Sequence, residues 1–213
     1  LTGSFLLFLV QPMVARMALP RLGGSPSVWN SAMLVYQALL LGGYYYAHRL
    51  SKLAPKTQAF AHVALFALAA LWLPLGLIAA NPPADGSPVL WVPWMLLASI
   101  GPVFLAVSAQ APLMQRWFSL AGNRGEPYAL YAASNVGSFG GLIAYPLLVE
   151  PNMALGGQSG LWTALYALLA LFVVLCAFTI VRARGVAVAE APVASSAAPG
   201  WRQRLHWIAL AAV

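Results

Sequence analysis

"GLWTALYALLALFVVLCAFTIV", residues 160–181, is a run of 22 residues without one charged side chain. A helix rises about 1.5 Å per residue and bilayer hydrocarbon is about 30 Å thick, so a run of this length is built to have lipid as its solvent. Five more apolar runs precede it, at 1–19, 28–48, 59–80, 90–114 and 128–149. The whole chain has the same character, with 62% hydrophobic and 7% charged residues and a mean hydropathy of +0.80. An ordinary soluble domain is about a quarter charged. The sequence therefore predicts an all-α polytopic transmembrane bundle.

The expected organisation is a six-helix bundle over residues 1–182, an Ala/Pro/Ser-rich cytoplasmic linker at 183–203, and the start of a seventh helix at 204–213. Both ends of the sequence fall inside apolar runs, which reads as a segment of a longer polypeptide. Turn-forming stretches separate the runs: "PRLGGSP" at 20–26, "NPPADGSP" at 81–88, "AGNRGEP" at 121–127 and "EPNMALGGQSG" at 150–160. The formal charge of +7 comes from basic residues scattered singly between runs, which excludes a basic stripe for nucleic acid. A single Cys176 excludes a disulfide or a cysteine-based metal site within the chain, and no cofactor site is visible.

Basic residues are retained on the cytoplasmic side of short loops. Arg49, Lys52 and Lys56 come after the second run, Arg116 and Arg124 after the fourth, and Arg182, Arg184, Arg202 and Arg204 after the sixth. The alternate loops hold Asp85 and Glu150, with Arg21 as the one basic exception. Both ends of the six-helix unit are then expected to be cytoplasmic.

Polar residues recur every seventh position, which returns a helical side chain to nearly the same face. The sets are Ser4 and Gln11, then Asn30, Gln37 and Tyr44, then Gly101, Ser108 and Gln115. Two readings stand: a polar cavity enclosed by helices 1, 2 and 4 and lined by Gln11, Asn30, Gln37 and Gln115, or interhelical hydrogen bonds worth about 0.6 kcal/mol each. Arg16 and Glu150 read as interfacial residues near helix ends, His62 as a hydrogen-bonded interfacial histidine, and Trp29, Trp91, Trp94, Trp117 and Trp162 as an aromatic belt. In the fifth run, Ala133, Gly137, Gly140 and Ala144 form a narrow stripe with Gly141 at its edge, suited to close helix packing. Asn135 lies on the other side with Tyr128, Tyr131 and Leu142, a face expected to meet a polar interior.

Four ordered segments carry a resemblance: "LPRLGGSPSVWNSAMLVYQALLLGGYYYAH" (19–48), "APLMQRWF" (111–118), "EPYALYAASNVGSFGGLIAYPLLVEP" (126–151) and "GQSGLW" (157–162). Together they resemble the bacterial membrane proteins called fused MFS/spermidine synthase, or spermidine synthase-like membrane proteins. The resemblance implies a bundle like the N-terminal half of a major-facilitator transporter, with any aminopropyltransferase-like enzyme domain outside this chain. In the superfamily's loop between helices 2 and 3, Gly43, Arg49 and Lys52 fit the pattern loosely. Ala47 and His48 stand where its acid belongs, so the charge relay associated with that loop is missing.

The expected function is a membrane module handling or transporting a small solute, a cationic polyamine-like one among the candidates. The alternative is a structural anchor or accessory subunit that docks onto a larger membrane complex and moves nothing. Its other partners are lipid and further transmembrane helices of the same or another protein. The loop charges make the topology testable in a Cys176→Ser background. Single cysteines at positions 52 and 85 should label oppositely with an impermeant thiol reagent, position 85 from outside and position 52 only after lysis. Equal labelling from outside would contradict six crossings.

Overall fold

The computed structural model describes residues 1–80, 88–120, 128–182 and 200–201. The expected linker at 183–203 lies almost wholly outside them, and the seventh helix at 204–213 entirely so. Every described element is helical: α1 (Thr2–Leu22), α2 (Pro26–Leu50), α3 (Pro55–Ala69), α4 (Pro88–Leu120), α5 (Tyr128–Ala144), α6 (Glu150–Asn152) and α7 (Leu155–Arg182). A 3₁₀ turn, Ala70–Trp72, extends α3, and a π-helical turn, Tyr145–Val149, joins α5 to α6. Proline opens α2, α3 and α4, where its missing N–H costs nothing. Gly23 closes α1 with a positive φ of 70° and donates its N–H to the Leu19 carbonyl at 2.9 Å.

Four helical stretches are long and apolar enough to cross a membrane: Thr2–Leu22, Leu90–Leu120, Tyr128–Asn152 and Leu155–Arg182. The 25 residues of α2 have the length, but Asn30, Gln37 and three consecutive tyrosines leave it more polar than those four.

The third run departs from expectation, because it is helical only to Trp72 rather than to residue 80. Pro74 disfavours the α region for the residue before it, and Leu73 is extended at φ −97° and ψ 147°. At 15 residues α3 is about 22 Å long, short of a full crossing. The non-helical strip after Trp72 is anchored by side chains. Ser159 Oγ donates to the Leu75 carbonyl at 2.5 Å, the Ile78 N–H donates to Ser99 Oγ at 3.0 Å, and Arg21 donates to the Ile78 carbonyl at 2.7 Å. Irregular backbone beside lipid is tolerated only when its polar groups are satisfied by protein in this way. The same contact gives Arg21, the exception to the loop charges, a structural role.

Helices α1 and α4 hold the centre. Leu6, Leu9 and Met13 of α1, Met95, Leu96 and Ile100 of α4, and Trp162, Tyr166 and Leu169 of α7 are all nearly or fully buried. The register of the contacts gives direction. Phe5 lies against Gly140 and Gly141 and Arg16 meets Glu150, so α1 and α5 run parallel. Tyr36 stacks on Phe104 and Gly43 meets Ser108, so α2 and α4 also run parallel. Tyr166 donates to the Phe66 carbonyl at 2.8 Å while Ser159 reaches Leu75, so α3 and α7 run antiparallel.

Trp162 and Trp117, expected in an interfacial belt, are buried instead. Trp162 donates its indole N–H to the Leu6 carbonyl at 3.1 Å, and Trp117 donates to Gln58 Oε1 at 3.0 Å. His62 is likewise interior rather than interfacial, enclosed by Phe66, Trp117 and Tyr46, with neither ring nitrogen bonded to a protein group among the described residues.

Backbones come into contact at three glycines, which lie at two helix crossings. A Cβ at Gly137 would collide with the Leu1 carbonyl oxygen, and one at Gly141 would lie 2.5 Å from the Phe5 carbonyl oxygen. A Cβ at Gly43 would overlap Ser108 Oγ and lie 2.9 Å from the Ala109 nitrogen. The line of closest approach on α5 thus runs through Gly137 and Gly141. Gly140 touches only the Phe5 ring, at 3.7 Å, and Ala133 and Ala144 are half-buried beside it. Gly137→Leu should force α1 away or strain it, a cost of about 1–3 kcal/mol. In detergent it should lower the melting temperature by at least about 3 °C relative to a Leu168→Ile control. An unchanged melting curve would mean that the two backbones are not in contact.

Candidate functional site

The strongest candidate is a groove of about 470 Å³ floored by α1 and walled by α2 on one side and the end of α5 on the other. Gln11, Pro12, Ala15 and Arg16 form its floor. Trp29, Met33 and Tyr36 come from α2, and Leu142, Tyr145, Pro146 and Glu150 from the opposite wall. Its volume lies within the range of about 300–1,000 Å³ typical of small-molecule sites.

Arg16 on the floor of this groove meets Glu150 on its wall. Arg16 Nε stands 3.6 Å from Glu150 Oε1, and Arg16 Nη1 donates to the Glu150 backbone carbonyl at 3.3 Å. This is the one ion pair among the described residues, and its side chains are 40% and 43% exposed. The two polar tyrosine ends are also engaged. Tyr145 donates to Gln158 Oε1 at 3.2 Å, and Tyr36 reaches the Gln11 carbonyl at 3.5 Å.

Helical geometry explains why a sequence wheel places Glu150 elsewhere. On an uninterrupted α-helix, Glu150 would lie about 180 degrees round from Gly141, which packs on α1, and so would point away from that helix. The π turn at Tyr145–Val149, which contains Pro146, adds one residue to the turn and rotates the residues beyond it by roughly 100 degrees. Glu150 is thereby brought back over α1. Pro146 has no N–H to donate to the carbonyl of Leu142, so the break in the α pattern falls where proline weakens it.

A second cavity, of about 370 Å³, lies between α1, α4, α5 and α7 near the opposite ends of α1 and α5. Its lining includes Gln110, Gln115, Ser4, Ser134 and Cys176, with no charged side chain. The hydroxyls of Ser4 and Ser134 share a 2.6 Å hydrogen bond, which ties α1 to α5 there.

The five amides singled out from the sequence are not brought together. Gln11 lines the groove and Gln115 the second cavity. Asn30, Gln37 and Asn135 are exposed and line neither. Asn30 and Gln37 lie roughly opposite Val35 and Leu39, the side of α2 that packs on the bundle. Asn135 shares its exposed side of α5 with Tyr128, Tyr131 and Leu142, where a polar interior was expected. Arg16 and Glu150, read from sequence as separate interfacial residues, are instead partners. The available signal was that both charges lie near the ends of apolar runs, where an unpaired charge is costly.

Among the described residues no group of three His, Cys, Asp or Glu side chains could hold a metal ion. No family model, curated protein or solved structure matches this chain. The functional reading therefore rests on the residues and their geometry.

An ion pair this exposed contributes little to folding. A double-mutant cycle of Arg16→Gln and Glu150→Gln, read by unfolding in detergent, should give a coupling of about 0.2–1 kcal/mol. A coupling well above about 1 kcal/mol would mean that the pair is held more tightly than its exposure implies.

Proposed function

We propose that this chain is a solute-handling module of a bacterial inner-membrane protein, related to the spermidine synthase-like membrane proteins and built like the N-terminal half of a major-facilitator transporter. The carrying observation is the Arg16–Glu150 pair lining the groove between α2 and α5. Ionisable residues within membrane-spanning segments are expensive and are kept chiefly where they bind or move something.

The directions of the helices support six alternating crossings, and the basic residues of the loops favour both ends being cytoplasmic. Parallel pairing of α1 with α5 and of α2 with α4, and antiparallel pairing of α3 with α7, is what successive passes require. In this reading α2 and the short α3 complete the set, with the strip after Trp72 finishing the third crossing. Asn30 and Gln37 on α2 and Asn135 on α5 are exposed. Amides facing hydrocarbon are costly, so these faces meet water along a solute path or further helices of the same or another protein.

Those exposed amide faces also favour the second reading, an accessory subunit that docks onto a larger complex and transports nothing. Proteoliposomes separate the two. Radiolabelled spermidine and a radiolabelled amino-acid mixture are offered from outside, and uptake of either should fall at least tenfold in Glu150→Gln at equal protein content. Absence of uptake with both, together with co-purification of a second membrane protein, would replace transport by the subunit reading.

A further inference from the structure

We infer that the groove takes a small zwitterion, a molecule carrying one carboxylate and one ammonium group on a compact apolar body. The inference rests on the groove being the solute site. Three features carry it. The groove holds one positive and one negative side chain, and they are its only charged lining residues. The two charges lie 3.6 Å apart, close to the separation of the ammonium and carboxylate groups of an α-amino acid, so one molecule can address both. The remaining walls, from Trp29, Met33, Leu142 and Pro146, offer apolar surface beside the pair.

The physical logic is exchange. Each side chain is about two-fifths exposed, so the pair is weakly held and a ligand can open it cheaply. An entering zwitterion gives Arg16 a carboxylate and Glu150 an ammonium, leaving no charge unpaired. Once a bound ligand covers the groove and excludes water, a simple cation would leave the Arg16 guanidinium without a partner, and a simple anion would leave Glu150 without one. Discrimination thus comes from the charge left without a partner, which makes a site reject an analogue lacking one group. By the same argument a polyamine fits poorly, because it offers nothing to Arg16.

Binding to the purified protein in nanodiscs tests this with four probes: phenylalanine, phenylalanine methyl ester, N-acetylphenylalanine and spermidine. The expected result is saturable phenylalanine binding, with the ester, the N-acetyl acid and spermidine each at least tenfold weaker. Arg16→Gln and Glu150→Gln should each weaken phenylalanine binding at least tenfold. The exchange Arg16→Glu/Glu150→Arg should recover part of it, which controls for variants that fold poorly. If the ester, the acid or spermidine binds as well as phenylalanine, the zwitterion inference is overturned while the groove remains a solute site. If none of the four binds, the solute-site reading falls with it.

Discussion

The bundle depends on backbone contact between α1 and α5. Helices in lipid gain nothing from hydrophobic transfer into one another, so association rests on packing and on interhelical hydrogen bonds. Gly137 and Gly141 remove the side chains that would hold α5 off, and the carbonyl oxygens of Leu1 and Phe5 occupy that space. The Ser4–Ser134 hydrogen bond lies at the start of this contact and the Arg16–Glu150 pair at its end. Fixing α5 parallel to α1 in this register sets one wall of the groove. The contact between Gly43 and Ser108 joins α2 to α4 in the same way.

The remaining helices are held by hydrogen bonds from large aromatic side chains to backbone carbonyls. Trp162 reaches Leu6 and Tyr166 reaches Phe66, so α7 is tied to α1 and α3 through two residues one helical turn apart. Phe66, Tyr166 and Trp162 stack in succession with centroids 5.3 and 5.5 Å apart. Such contacts supply both the packing that lipid does not disfavour and donors that would be costly if left unbonded. Proline has a complementary role. Pro74 ends α3 early, and Pro146 sits within the π turn that aims Glu150 at Arg16. After Pro74 the irregular backbone is covered by contacts from Ser159, Ser99 and Arg21.

The groove and the second cavity differ in charge. One carries an opposed pair in an otherwise largely apolar lining, while the other has hydroxyls, amides and a thiol but no charge. They lie toward opposite ends of α1, since one includes Arg16 and the other Leu1 and Ser4.

Much of the fold was legible in the residues alone because it arises from local physics. The length of each apolar run, the prolines that open helices and the glycines available for close packing depend on solvent and on neighbouring sterics. Those constraints are written into short stretches of chain. The candidate site was far less legible. Arg16 and Glu150 are 134 positions apart, and their meeting depends on a parallel helix register and a π turn that rotates one of them by roughly 100 degrees. The amides Asn30, Gln37 and Asn135 share seven-residue periodicity or a helix face, but periodicity says which residues are together and not what that face meets. Sequence determined that these helices form and which small residues could let them touch. Only the tertiary arrangement decided which faces were covered and which two charges met, because those depend on neighbours contributed by distant parts of the chain.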